Sequence, residues 1–234
     1  MDPPKLHIND RSLLPEDPAE EGDHQASTRK ALHQSILPKL RPLPFQYHWT
    51  VWHDKHSPDS TANYDDRLFV LHDDVADIAA FYRVYNNYPW DRIRLRDSVH
   101  IFRRGVKPVW EHPENVRGGC WRFRVPKAKA QAFFHEVALL CIANEFQAVL
   151  EGDHDHVLGV STSVRFNSHL ISVWNKLGHC ERSIKTLERT ILDRLSPELR
   201  PVDGPGPNSY FYRRHDENDG YQQAVETSDP PSEE

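Results

Sequence analysis

"VKPVWEHPENVRGGCWRFRVP", Val106–Pro126, joins two kinds of local code within one stretch. Its second half alternates Trp121, Phe123 and Val125 with Cys120, Arg122 and Arg124, the period of a strand with one apolar face. Its first half, broken by Pro108 and Pro113, reads as a loop, yet it sets Trp110 beside Glu111. Upstream, "DSVHIFRRG" reads as a second strand leading into that loop.

Working outward, the chain alternates strands and helices without repeats. "YHWTVWHD" and "RLFVLH" read as strands separated by a polar loop with Pro58, Asp59 and Asn63. "DDVADIAAFYRVYNN" offers Asp73 and Asp74 as N-caps and spaces Val75, Ile78, Ala79, Tyr82 and Tyr85 as a helix does. One long helix is predicted from Lys127 to about Leu150, on the recurrence of Phe133, Phe134, Val137, Leu140 and Cys141. "HVLGVSTSVR" and "LISVWN" form a hairpin around "FNSH", and "ERSIKTLERTILDRL" is an amphipathic helix stopped by Pro197. Strands outnumber helices, and the helices fall between hairpins. This pattern predicts an antiparallel α+β fold in a single domain.

The 234 residues suit one domain with tails. The hydrophobic fraction is 38% with a mean hydropathy of -0.73, enough for a core if much of the length is polar tail. Residues 1–41 mix Pro, acids, His and Ser and read as a disordered N-terminal tail, within which "STRKALHQSIL" could fold on a partner. Residues 215–234 are acidic and read as a disordered C-terminal tail, leaving 42–214 as the folded domain. Of 35 acids and 29 bases, seven and six lie in residues 1–41, and seven and none from His215 onward. That leaves 21 acids against 23 bases over residues 42–214. A domain so nearly balanced does not track nucleic-acid backbone, though a small anionic ligand is compatible with it. No apolar run is long enough for a bilayer, and the N-terminus lacks the pattern of a secretion signal, so a soluble intracellular protein is expected. Cys120, Cys141 and Cys180 lie far apart without a CxxC spacing, which argues against disulfides and zinc fingers.

Six tryptophans, at 49, 52, 90, 110, 121 and 174, are many for this length. Trp49, Trp52 and Trp121 fit core positions in strands. Trp110 sits in a loop, where a ring serves better as a platform for a flat ligand, and an adjacent carboxylate can accept paired donors from that ligand's edge.

The order "HWTVW", "NYDDRL", "FYRVYNN", "HIFRRGVKPVWE", "RGGCWRF", "EVALLC", "GVSTSVRF" and "ISVWNK", from about Pro44 to Leu199, resembles the translation initiation factor 4E family, which binds the 7-methylguanosine cap of mRNA. The resemblance implies a curved antiparallel sheet of about eight strands, about three helices on its convex face, and a ligand site in the concave mouth. It implies Tyr64 and Trp110 as the two rings stacking on the methylated base, Glu111 as the guanine acceptor, Trp174 beside the methyl group and Arg165 on phosphate. Tyr64 in place of tryptophan resembles the branch called class II, which is linked to translational repression. Leu170 and Cys120 stand where phosphate-contacting basic residues are expected, and Arg213 and Arg214 in the late loop are candidates to supply those contacts.

A dorsal face of Pro44, Val75, Tyr82, Glu136 and Leu139 is implied for a helical peptide of a scaffold (factor 4G-like) or a 4E-binding-protein-like repressor. Val75, Tyr82 and Leu139 are equally readable as packing the helices on the sheet. Trp90 matches nothing in the family pattern and reads as a loop anchor or an added partner contact. The expected protein is a non-enzymatic, monomeric cap-binding regulator of translation without cofactor or membrane, in the cytoplasm and with the nucleus as a second compartment. The alternative is a fold kept as a protein-interaction module with little cap affinity. "GDHDH", Gly152–His156, has metal-ligating residue types but no second cluster, and reads as a solvated loop.

Overall fold

The computed structural model describes residues 43–57, 67–201 and 209–228. The expected N-terminal tail, residues 1–41, the stacking residue Tyr64 and the last six residues of the expected C-terminal tail lie outside the described residues. The described residues form seven strands: β1 Pro44–Asp54, β2 Leu68–Asp77, β3 Ser98–Arg103, β4 Gly119–Pro126, β5 Val157–Val164, β6 Ser168–Asn175 and β7 Tyr210–Arg214. They make one open, curved sheet in the order β2-β1-β3-β5-β6-β4-β7, every neighbouring pair antiparallel. Five α-helices accompany it: α1 Ile78–Asn87, α2 Lys127–Ile142, α3 Glu145–Ala148, α4 Glu181–Arg194 and α5 Tyr221–Ser228. The α+β class is as expected, with seven strands rather than about eight and five helices rather than about three among the described residues.

Strand alternation divides the sheet into two faces. Trp49, Val51, Val99, Ile101, Trp121, Phe123, Val125, Val160, Ile171 and Val173 meet Phe81 of α1, Phe133, Phe134 and Val137 of α2 and Leu187 and Ile191 of α4 in the main core. Burying each such side chain is worth roughly 1.5–3 kcal/mol, so this face holds the fold together. The opposite face is open, and a smaller cluster of Phe102, Val106, Cys120, Leu158 and Trp174 gathers there, with Trp52 and Trp110 packed against it.

Four local expectations change. α1 is capped by Asp77, whose carboxylate accepts from the Ala80 amide at 2.7 Å, because β2 runs on through Asp73 and Asp74. The long helix predicted to Leu150 ends at Ile142: Asn144 adopts φ 69°, a left-handed conformation that asparagine tolerates, and α3 begins after it. The stretch around Arg213 is a strand and not a loop. Its Tyr210 and Tyr212 alternate onto the main core while pairing with β4. The fold also continues past Arg214, since His215 is 1% exposed and α5 follows with Ala224 buried, so a tail beginning at 215 starts too early.

Two loops show the same economy of polar groups. Trp90 is an anchor: its indole N–H donates to the Tyr85 carbonyl at 2.8 Å and its ring packs on Tyr85, Tyr88 and Phe134. In "GDHDH", Asp155 is fully buried rather than solvated. Its carboxylate accepts from the amides of His156, Lys176 and Leu177 at 2.8, 3.1 and 2.9 Å and from Asn175 Nδ2 at 2.8 Å, tying the β5 entrance to the β6 exit. Among the described residues no group of three or more His, Cys, Asp or Glu could hold a metal ion, and no helix is long and apolar enough to cross a membrane.

Candidate functional site

Residues paired directly across antiparallel strands point to the same face, so the registers map the open face. One row runs Thr50, Phe102, Gly159, Trp174, Cys120, Arg213. The next runs Trp52, His100, Ser161, Ser172, Arg122, Phe211, and a third Asp54, Ser98, Ser163, Leu170, Arg124. Trp174 stands mid-sheet in the first row. It is buried, its N–H donates to Ser161 Oγ at 3.1 Å, and its ring meets Phe102 edge-on at 5.3 Å and lies 4.8 Å from the ring of His215.

The loop between β3 and β4 brings Trp110 and Glu111 to this face, and Asn115 shapes it. Asn115 is fully buried; its Nδ2 donates to the carbonyls of Lys107 and Val109 at 2.8 and 2.7 Å, cinching the chain just before Trp110. Its own carbonyl accepts from Gly118 N at 2.8 Å and from His215 Nδ1 at 2.7 Å, which pins the loop to the end of β7. A donated Nδ1–H leaves Nε2 of neutral His215 as a bare acceptor, and burial pulls the ring's pKa down to about 4. Glycine is required where the loop rejoins the sheet: a Cβ on Gly118 would collide with the Asn175 carbonyl, and one on Gly119 with the Tyr212 hydroxyl. Lys176 and Glu114 close the outer side with an ion pair at 2.7 Å.

Trp110 is half-buried against the open-face cluster, as is Trp52. Glu111 is the electrostatic oddity: its Oε2 is buried and has no hydrogen-bond partner. Burial pushes its carboxyl pKa up, opposed by its own backbone N–H. An ionisable acceptor that the fold desolvates and leaves unused is costly to keep.

The other predicted residues divide. Arg165 ends β5 on the open side and is exposed; desolvation first, then the fields of Arg96 and Arg122, pull its pKa down. Arg213 shares the row of Trp174 and Cys120, its Nη2 donating to Asn218 Oδ1 at 3.0 Å. Arg214 points the other way. Its side chain donates to the Gly178 carbonyl at 3.0 Å and pairs with Glu181 at the start of α4 at 2.9 Å, so it serves the helix-covered face and is not a phosphate contact of this site.

On the implied partner face, Pro44 is exposed at the start of β1 and Tyr82 is half-buried with its hydroxyl 3.2 Å from His135 Nε2. Leu139 packs partly against the main core. Val75 is fully buried and offers no surface, and Glu136 is engaged by Ser196 N and Oγ at 2.9 and 2.6 Å.

Three open-face residues escaped the sequence reading as site residues: Trp52, His100 and Arg122. Trp52, whose strand pattern predicts a core position, instead packs on the open face with its indole N–H buried and unpartnered. His100 beside it is buried with neither ring nitrogen paired, and burial holds its pKa down to about 3. Strand alternation did carry the signal for them, since each is out of phase with the core-facing residues of its strand.

Comparison with known proteins places this geometry. Eukaryotic translation initiation factor NCBP of Oryza sativa subsp. japonica is 24% identical over 202 residues, covering 85% of this chain and 82% of that protein. Eukaryotic translation initiation factor 4E of Candida albicans is 24% identical over 162 residues, covering 68% and 75%. Among solved structures, Ascaris suum eIF4E-3 in complex with an m2,2,7G cap superposes with a TM-score of 0.63 at 21% identity, over 76% of this chain and 94% of that one. C. elegans eIF4E-3 with the 4E-binding protein Mextli and a cap analog also gives 0.63 at 21% identity, over 75% and 94%. The profile of the family described as Eukaryotic initiation factor 4E matches residues 44–228, from the first residue of β1 to the last of α5. Every strand that builds the open face and the loop that arms it lie inside that match, and the chain belongs to the eukaryotic initiation factor 4E family.

Proposed function

We propose that this protein binds the 7-methylguanosine cap of mRNA on its open face and thereby regulates translation, in initiation or in repression. The observation that carries the reading is the buried, partnerless carboxylate oxygen of Glu111 next to Trp110, on the same face as Trp174. Guanine offers two donors, N1–H and N2–H, on one edge, which suits a carboxylate already stripped of water. N7 methylation makes the base cationic, so stacking on Trp110, with Tyr64 as the opposing ring, adds a cation–π gain of about 0.5–2 kcal/mol. Trp174 lines the methyl side, and Arg165 and Arg213 meet phosphate.

The family membership and the cap-bound state of the eIF4E-3 neighbours support this, and the Mextli complex supports a 4E-binding-protein-like partner on the face formed by Pro44, Tyr82 and Leu139. The role is that of a binding factor acting in the cytoplasm. Titration of intrinsic tryptophan fluorescence with 7-methyl-GTP and with GTP at fixed salt tests it. Quenching by the methylated ligand at far lower concentration is expected; equal or absent responses would refute cap recognition and favour an interaction module.

A further inference from the structure

The tip of the β5–β6 hairpin carries an aromatic side chain that the fold does not use. The Arg165 amide donates to the Ser168 carbonyl at 2.8 Å, closing a two-residue loop of Phe166 and Asn167. Loops of this kind favour Gly, Asn, Asp and Pro, whose backbones turn readily. Here one of the two positions is a phenylalanine that is 78% exposed and belongs to neither apolar cluster. No other Phe, Tyr or Trp among the described residues is as exposed. A ring left in water adds no burial term to the stability of the free chain.

A second turn adjoins this tip. The Arg96 amide donates to the Val164 carbonyl at 2.9 Å and the Val164 amide to the Asp97 carbonyl at 3.0 Å, so the turn that leads into β3 is tied to the base of the hairpin. That turn presents Leu95, 51% exposed, and holds Arg96 at φ 72°, in the left-handed region that long side chains rarely adopt. Arg94, Arg96 and Arg165 are exposed around these two apolar side chains, and among the described residues none of the three forms an ion pair with a carboxylate. An exposed flat ring among guanidinium groups is the kind of surface on which a base of single-stranded nucleic acid stacks, since every base has a π-face and a charged backbone close to it.

The strand registers show which way a ligand would approach this tip. Gly119 pairs with Asn175 and Gly159 with Trp174, so the loop carrying Trp110 and Glu111 rejoins the sheet where β5 begins and β6 ends. The Phe166 tip closes the opposite end of the same two strands. Ser168 precedes Trp174 by six residues on β6, a separation of about 20 Å along the strand. A ligand whose base lies at Trp110 and whose phosphates reach Arg165 therefore points its far end at Phe166. We propose that Phe166, with Leu95 on the adjoining turn, is the stacking platform for the base of the first transcribed nucleotide, so that the chain recognises capped RNA beyond the cap itself and prefers a purine at that position. This inference rests on the cap reading and adds a second base-binding position to it.

Fluorescence or calorimetric titrations of the full chain with 7-methyl-GTP, 7-methyl-GpppA and 7-methyl-GpppC test it, for wild type, Phe166→Ala and Phe166→Trp, with melting temperatures alongside. The two dinucleotides carry the same charge, so a difference between them reports the second base. Wild type is expected to bind 7-methyl-GpppA at least about threefold more tightly than 7-methyl-GpppC. Phe166→Ala should weaken 7-methyl-GpppA about five- to tenfold, erase the difference between the dinucleotides and leave 7-methyl-GTP within about twofold of wild type. Phe166→Trp should keep the purine preference. Equal binding of the two dinucleotides by wild type, or undiminished binding of 7-methyl-GpppA by Phe166→Ala, overturns the proposal while tight binding of 7-methyl-GTP leaves the cap reading standing; the exposed ring then belongs to a protein contact. A loss shared equally by 7-methyl-GTP in Phe166→Ala also overturns it, because the residue then acts on the cap pocket or on folding. Binding of none of the three ligands by wild type overturns both readings.

Discussion

Replacing Glu111 with glutamine should move affinity and stability in opposite directions. The side chain keeps its shape, but one carboxylate oxygen becomes an amide NH2 that meets a guanine donor with another donor. Two charge-assisted hydrogen bonds are worth roughly 1.5–3 kcal/mol each, and a half-buried acceptor belongs at the low end of that range. The expected loss is about 3 kcal/mol, on the order of a hundredfold in Kd for 7-methyl-GTP. In the free protein the substitution removes a charge whose Oε2 is buried without a partner, so stability should rise by roughly 0.5–1 kcal/mol, or about 1–4 °C in Tm.

The sign of the pH dependence follows from the raised carboxyl pKa. A folded-state pKa above the unfolded one means that the folded chain holds this proton more tightly. Stability is therefore greatest below the unfolded value and is lost as pH rises through the folded one. The advantage of Glu111→Gln should thus be larger at neutral pH than near pH 4, about the ordinary carboxylate value. Fluorescence titration and thermal melts at both pH values check this. A Kd within about threefold of wild type, or a lower Tm at neutral pH, would refute the account of Glu111 as a desolvated acceptor held for a ligand.

Asp155→Ala removes a buried carboxylate that satisfies three backbone amides and Asn175, and should cost about 3–5 kcal/mol, a fall in Tm on the order of 10 °C; a shift under about 3 °C would show that the amides find other partners. His100 is held neutral by burial with its pKa lowered from 6.5 to about 3, so only the unfolded chain takes up its proton between those values. Stability should fall by about 1.4 kcal/mol per pH unit as pH drops through that window, and His100→Phe should flatten the melting-temperature profile there, with His215 leaving a residual slope. Parallel profiles for the two proteins would contradict a neutral His100.

Much of the sheet was legible because strand alternation is a local property. Six of the seven strands follow from the period-2 pattern of Trp, Val, Ile and Phe, and the same pattern placed Trp49 and Trp121 in the core. The missed strand, β7, is five residues long, and its pairing with β4 is a contact no local window contains. The break at Asn144 and the cap at Asp77 were missed for a related reason: helical periodicity continues across both, and tertiary packing chooses where the backbone turns.

At the site, the chain's own order determined that Trp110 and Glu111 are adjacent on a loop, that Trp174 and Arg165 lie in a hairpin, and that Arg122 alternates out of the core. Which of these share a face depended on the registers of four strand pairs, because one residue of slip turns every side chain to the other side. Tertiary structure alone separated Arg213 from Arg214, neighbours in sequence that point to opposite faces of β7. It alone buried Val75, occupied Glu136 and set Asn115 beneath the loop that presents Glu111. Composition and spacing specify which chemical groups a chain has to offer. Burial and partnering, which leave one carboxylate oxygen of Glu111 enclosed without a hydrogen-bond partner, are properties of the folded neighbourhood and exist only once distant strands have met.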